Sequence, residues 1–217
     1  MRRTRVKICC IASEAEAQIA IEAGADALGL VSAMPTGPGV ISDDDIATIA
    51  ASVPPLISTW LLTSKTAPEA IVAQVNAAGV DTVQLVTDIP EGGHAYLKAK
   101  LPGRRIVQVL HVVGPEIIDD ALALRAHVDA ILLDSGNPSQ AELGGTGRTH
   151  DWSVSAQLVA AVAPTPVFLA GGLRRENIAD AIEQVKPFGV DVCSGVRASG
   201  QLNPERLSSL IRAIHTD

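Results

Sequence analysis

The chain has 217 residues and a formal net charge of -7 at pH 7, a balance that works against a polyphosphate backbone as partner. Hydrophobic residues make up 47% but aromatics only 2%, so no base-stacking platform can be assembled, and the core must be built from Ala, Val, Ile and Leu, as in buried parallel strands packed under helices. No apolar stretch approaches the roughly 20 residues of a bilayer span, and the expectation is a cytoplasmic protein with neither nucleic acid nor membrane as partner.

The basic opening Met1–Arg5 leads into only a short apolar run, and Glu14 and Glu16 follow, so it does not read as a secretory signal. Val6–Cys9 predicts a first strand and the Ala-rich Ser13–Glu22 a first helix. Ala23-Gly24-Ala25-Asp26-Ala27-Leu28 then has the form of a helix end, a tight turn and a second strand. The pattern returns as Ala78-Gly79-Val80-Asp81-Thr82-Val83, as Ala126-His127-Val128-Asp129-Ala130-Ile131, where the Gly is missing, and as Phe188-Gly189-Val190-Asp191-Val192-Cys193. Its aspartates lie 55, 48 and 62 residues apart, too far for one βα unit and right for two. Apolar runs at Leu56–Leu61, Arg105–Val112 and Pro166–Ala170 supply the strands between. Further helices are expected at Asp43–Ser52, Pro68–Ala77, Glu116–Ala126, Ser153–Ala163 and Glu176–Gln184. Eight strands alternating with helices, with no interdomain linker, predict an α/β chain folded as a single (β/α)8 TIM barrel over residues 1–217. A doubly wound sheet is the alternative, and it does not explain repetition through the last strand.

In such a barrel the strand ends that lead into helices share one functional rim. Cys9 closes the first strand there, with Lys7 two residues earlier on the same face. A Cys in an apolar run is often only a small buried hydrophobe. Asp134 ends the sixth strand, Ile131-Leu132-Leu133-Asp134-Ser135-Gly136, where propensity alone does not put a carboxylate, although an Asp can also simply open a turn. Together the two offer a base and an acid. Gly171 and Gly172 follow strand seven, and Ser194 and Gly195 follow strand eight, the paired loops from which barrels build a phosphate cradle. Glu142–Trp152 forms a Gly-rich loop without the Lys-Ser/Thr ending of a nucleotide P-loop, so an ATPase is rejected. Ser32–Ser42 is apolar and uncharged, suited to closing over a ring. The three Cys, two of them adjacent, provide no disulfide framework, and the five His are too scattered for a metal site.

Lys7-Ile8-Cys9, Ala23–Gly29, Val83-Gln84-Leu85, Leu132-Leu133-Asp134-Ser135, Gly144-Gly145-Thr146-Gly147, Asp151-Trp152, Ala170-Gly171-Gly172-Leu173 and Asp191–Val196 together resemble the phosphoribosylanthranilate isomerase family. The resemblance runs from first strand to last and implies a (β/α)8 barrel that performs a cofactor-free Amadori rearrangement in tryptophan biosynthesis. It further implies that Asp134 protonates the ribose ring oxygen and that Cys9 removes the C2 proton. Gly171, Gly172, Ser194 and Gly195 would grip the phosphate of a small phosphorylated sugar conjugate. Lys7, Gly145, Thr146, Arg148, Asp191 and Arg197 are the expected substrate-binding positions.

Departures from the family pattern gather at the rim. Gly39 stands where an arginine usually pairs with the anthranilate carboxylate, and Cys10 stands where a glycine usually follows the catalytic Cys. Val86 replaces a usual His, and strand five carries Gln108 and His111 where a Lys and an Arg are common. Arg148 and Arg197 occupy positions that are commonly Lys and Glu, and either could supply the displaced anion contact. Two alternatives stay open: a related isomerase whose phosphosugar conjugate lacks the carboxylate, and a non-catalytic phosphosugar-binding protein.

Overall fold

The computed structural model describes residues 3–136 and 149–215. Eight parallel strands close into a barrel in sequence order: β1 (Arg5–Ile8), β2 (Ala27–Val31), β3 (Ser58–Thr63), β4 (Thr82–Leu85), β5 (Arg105–His111), β6 (Ala130–Asp134), β7 (Val167–Leu169) and β8 (Gly189–Val192). Around them lie α1 (Glu14–Glu22), α2 (Asp43–Ser52), α3 (Pro68–Ala78), α4 (Gly93–Lys100), α5 (Ile117–Leu124), α6 (Trp152–Val162), α7 (Ile178–Val185) and α8 (Pro204–His215). A two-stranded antiparallel ribbon, β9 (Arg197–Ala198) with β10 (Gln201–Leu202), precedes α8.

Alternation along each strand divides the apolar residues between two cores. Val6, Ile8, Leu28, Leu30, Leu61, Val83, Leu133 and Val190 belong to the larger one, between barrel and helices. Ala27, Trp60, Leu62, Val107, Val109, Leu132 and Phe168 fill the smaller one, inside the barrel. Two of the chain's five aromatics, Trp60 and Phe168, sit in that interior, with Phe188 against them from outside. Trp60 meets Phe168 edge-on at 4.9 Å between centroids, and Phe168 meets Phe188 at 5.5 Å.

Three of the four repeated aspartates do one job. Asp26 accepts from the Val6 amide at 2.8 Å, Asp81 from the Thr59 amide at 2.9 Å and Asp129 from the Ile106 amide at 2.9 Å. Each sits just before an even strand and caps the start of the odd strand before it, satisfying a donor that opens the ladder. The fourth copy corrects the sequence reading. Phe188, not Asp191, donates its amide to Val167 in the way that Asp26 donates to Val6. Asp191 is instead the third residue of β8 and lies beside Lys7 in the register with β1. Nor does Gly189 end helix α7; Lys186, at φ 53°, does so with a bond from its amide to Ile182.

Two strand limits also move. The third strand begins at Ser58 rather than Leu56, which is fully exposed at φ 79° in the turn after Pro54-Pro55. The seventh is trimmed to Val167–Leu169. Helices α4 and α8 fall in segments the start signals did not mark; α4 opens on Gly92 at φ 79° without a side-chain cap.

Gly189 is a packing requirement of this floor, since a Cβ there would lie 2.6 Å from the Phe168 ring. Gly189→Ala is expected to cost about 1–3 kcal/mol through overpacking, read from urea unfolding; an unchanged midpoint would contradict this packing.

Candidate active site

The candidate residues Cys9, Asp134, Gly171, Gly172 and Ser194 sit at or just past the carboxyl ends of the strands. Cys9 follows β1 directly and Asp134 is the last residue of β6, three strands away around the closed barrel. Both line one cavity, together with Gly171, Gly172 and Ser194. Its walls are apolar where Val31, Leu62, Val86 and Val109 face inward, and Met34, Thr36, Gly37 and Pro38 of the second loop border it.

Under Cys9 lies a buried ion pair. Lys7 Nζ stands 2.8 Å from Asp191 Oδ2 and 5.2 Å from the centroid of Trp60, with no exposure of the lysine. Burial by itself would lower the Lys7 pKa, but Asp191 above all, with the neighbouring Cys9 and Cys10, outweighs it and holds the ammonium above its usual range. Gly29 makes the room: a Cβ there would lie 2.9 Å from Cys9 Sγ and 3.0 Å from Lys7 Nζ. The second oxygen of Asp191 has no partner among the described residues, nor does Oε1 of Gln84, and both residues line the cavity.

Asp134 accepts from the Ser135 amide at 2.7 Å. Burial pushes its pKa up, and the charge of Asp191 adds to this, while the Ser135 amide, His111 and Lys7 oppose it. The carboxyl is thereby biased toward its acid form. His111 lies beside Asp134 in the β5–β6 register. Burial lowers its pKa against Asp134, the Val86 backbone and Asp88, and neither ring nitrogen meets hydrogen-bond geometry with a described partner. Gln108, by contrast, bonds His94 and the carbonyls of Leu85 and Thr87. Sequence reasoning noticed both residues only as departures; the strand alternation that puts Val107 and Val109 inside the barrel was the available signal for His111.

Behind Gly171 and Gly172, at φ 86° and 60°, Asn177 ties the loop by donating to Gly172 O and accepting from the Arg174 amide. Gly195 must be glycine because a Cβ would stand 2.1 Å from Leu173 O, so the loops after β7 and β8 are in backbone contact. A second hollow continues outward from this contact, bordered by Gly172, Ser194 and Gly195, by Arg174, Arg175 and Arg206, and by Glu176 and Glu205, the first of which pairs with Arg174. Backbone donors beside cations suit an anion.

Comparison with known proteins identifies the family. The family model described as N-(5'phosphoribosyl)anthranilate (PRA) isomerase matches residues 6–213. The chain belongs to that family. An N-(5'-phosphoribosyl)anthranilate isomerase of Halobacterium salinarum is 41% identical over 198 residues, 90% of this chain and 88% of the relative. One from Methanothrix thermoacetophila is 36% identical over 213 residues, 98% and 99% of the two chains. The solved phosphoribosyl anthranilate isomerase of Thermotoga maritima superposes with a TM-score of 0.85 at 31% identity, covering 97% of this chain and 98% of that one. Another solved isomerase, in complex with reduced 1-(o-carboxyphenylamino)-1-deoxyribulose 5-phosphate, gives a TM-score of 0.82 at 28% identity over 97% and 98% of the two chains.

Within this isomerase family, two departures that look separate in sequence are one contact in space. Gly39, at φ 76°, is so close to Cys10 that a Cβ would stand 2.4 Å from Cys10 Cβ. Cys10 itself holds φ 65°, a left-handed backbone that favours glycine, and its thiol points to Pro38 O at 3.6 Å. The side chain at position 10 therefore occupies the space that a side chain at 39 would need.

Arg197, expected as a displaced anion contact, is bound to the protein itself. Its guanidinium pairs with Glu16 at 2.9 and 3.1 Å and donates to the carbonyls of Cys10 and Gly200. Glu16 also accepts from the amides of Ala12 and Leu202. This clip fastens the loop after Cys9 to the ribbon after β8. Gly145, Thr146 and Arg148 lie outside the described residues.

The Gly39–Cys10 contact is open to a double-mutant cycle. Gly39→Ala should destabilise by about 1–3 kcal/mol through overpacking and left-handed strain. Combined with Cys10→Gly, part of that loss should return in thermal unfolding, and strict additivity would show that the two positions do not compete for space.

Proposed function

We propose that this protein converts N-(5-phosphoribosyl)anthranilate to its 1-deoxyribulose 5-phosphate isomer, and that Asp134 and Cys9 are its acid and base. The observation that carries the reading is that Cys9, Asp134, Gly171, Gly172 and Ser194 border one cavity. In the first step Asp134 gives its proton to the ribose ring oxygen, the bond from that oxygen to C1 breaks, and the nitrogen lone pair forms an iminium. Cys9, as thiolate, then takes the C2 proton, and the electrons of that bond move to the nitrogen through an enolamine that tautomerises to the ketone. The scheme calls on no cofactor, and we assign it to the cytoplasm.

The electrostatics suit each part. A general acid must be protonated before it acts, and burial holds the Asp134 pKa up. The thiolate form of Cys9 has the Lys7 ammonium beside it. Gly171, Gly172, Ser194 and Gly195 would take the phosphate. The unpartnered oxygens of Asp191 and Gln84 would accept from sugar hydroxyls, which repays the cost of leaving buried acceptors bare. Lys7, wholly buried, acts through its charge, and Arg197 through the carbonyl it holds after Cys9.

One observation favours a second reading, an isomerase for a conjugate without the carboxylate: no Lys or Arg is among the described residues lining the main cavity. Arg148 is the cation we assign to the anthranilate carboxylate. Arg148→Ala should then raise KM about 10- to 100-fold, the worth of one charge-assisted bond. An unchanged KM would exclude that assignment.

The decisive experiment is growth of a tryptophan auxotroph that lacks this isomerase. Expression of the chain should restore growth, and failure with well-folded protein would favour the carboxylate-free conjugate. Asp134→Asn and Cys9→Ser should each reduce kcat by about 10²–10⁴ while phosphate still binds, and undiminished turnover in either would overturn its role. Because Asp134 works as an acid, kcat/KM should fall as pH rises through its raised pKa, and that limb should vanish in Asp134→Asn.

A further inference from the structure

Three thiols meet where β1 and β8 end. The strands run in register, Ile8 beside Val192, and the Cys9 amide donates to Val192 O at 2.8 Å, so the residues that follow are held side by side. Cys10 Sγ lies 2.7 Å from Cys193 Sγ, and all three thiols are free. Cys9, Cys10 and Cys193 all border the main cavity, and Cys193 is the most exposed of the three.

We propose that Cys10 and Cys193 form a modification site, a dithiol that a small disulfide such as oxidised glutathione closes into a reversible cross-link while Cys9 stays a free thiol. A bridge between the neighbours Cys9 and Cys10 would close a ring too small for a relaxed trans peptide, whereas Cys10 and Cys193 lie just past the ends of the paired strands β1 and β8. The chemistry is a two-step exchange. The Cys193 thiolate attacks one sulfur of the small disulfide, whose S–S bond breaks and releases one small thiolate, which takes up a proton. Cys10 then loses its proton to solvent and attacks Cys193 Sγ, expelling the second small thiolate. Two protein thiols are oxidised by two electrons, and one small disulfide is reduced to two thiols.

The surroundings set the order of attack. The contact with Cys10 lowers the Cys193 pKa, helped by Arg197 and Lys7, against burial and the charge of Asp191. Cys10 is pushed up by its contacts with Cys193 and Cys9 and by burial, so it stays protonated until the second step. Closing the bridge takes the Cys10 thiol from Pro38 O in the second loop and ties it to the residue before Ser194, where the phosphate cradle begins. Displacement at that point is felt by the bound sugar phosphate, and the bridged protein is expected to turn over at least about fivefold more slowly.

The bond does not depend on the isomerase reading, but its effect on turnover does. The full chain is incubated with excess oxidised glutathione, alkylated with iodoacetamide and mapped without reduction. The expected result is a Cys10–Cys193 cross-linked peptide, lighter by two hydrogen atoms, with Cys9 alkylated. Turnover should fall and return with dithiothreitol, and in Cys193→Ser the oxidised and reduced samples should be equally active. Inorganic phosphate at saturating concentration should slow bridging, since Cys193 adjoins the cradle. Alkylation of all three thiols, a bridge that includes Cys9, or a bridge without any change in turnover would each overturn the inference. Absence of turnover from the reduced protein would instead count against the isomerase reading and leave the bridge to be judged by the peptide map.

Discussion

The buried pair of Lys7 and Asp191 is the constraint around which the active end of the barrel is arranged. An ammonium with no exposure is tolerable only because its partner stands 2.8 Å away and the face of Trp60 lies beneath it. Removing the carboxylate would strand the cation, a loss of about 3–5 kcal/mol by analogy with other broken buried pairs. The pair joins the first strand to the last, so it also stands at the seam where the barrel closes. Gly29 on the neighbouring strand leaves the volume that the ammonium and the Cys9 sulfur occupy.

From that pair the charges of the site can be ordered. Lys7 is a fixed positive charge shared by Asp191, which neutralises much of it, and by Cys9, which borders it. Asp134 feels burial and the negative charge of Asp191 more than it feels Lys7, and it is held toward the protonated form. One cation and two carboxyls thus leave a carboxyl biased toward its acid form at β6 and a cation near the thiol at β1. The buried rings of Trp60 and Phe168 form an apolar floor on this side of the pair.

Much of the frame was legible because periodic features are local. Apolar runs, turn aspartates and their spacing gave eight strands, and the last residues of strands one and six gave Cys9 and Asp134. The fourth copy of the aspartate motif misled because its letters match while its register does not; only pairing with β1 shows that Asp191 lies inside the strand. Contacts between distant residues left no local trace. Lys7 meets Asp191 across 184 positions and Arg197 meets Glu16 across 181, so from sequence the first reads only as a neighbour of Cys9 and the second as a candidate anion contact. Gly39 and Cys10 likewise read as two independent losses, although they occupy one volume.

That shared volume explains how the rim can diverge without disturbing the chemistry. Cys9 is fixed from below and behind: its amide bonds Val192 O, and the Ile11 amide bonds Gly29 O two residues later. The Cys10 carbonyl between them is held by Arg197, itself fastened to Glu16. A change of side chain at position 10 therefore alters the space offered to the second loop while the thiol before it stays in place. Cys9, Asp134, Gly171 and Gly172 ride on strand ends whose register is set by the barrel, whereas Gly39 lies in a loop that packs on Cys10. The strand ends that carry Cys9, Asp134, Gly171 and Gly172 and the loop that carries Gly39 are thus different parts of one fold, free to vary separately.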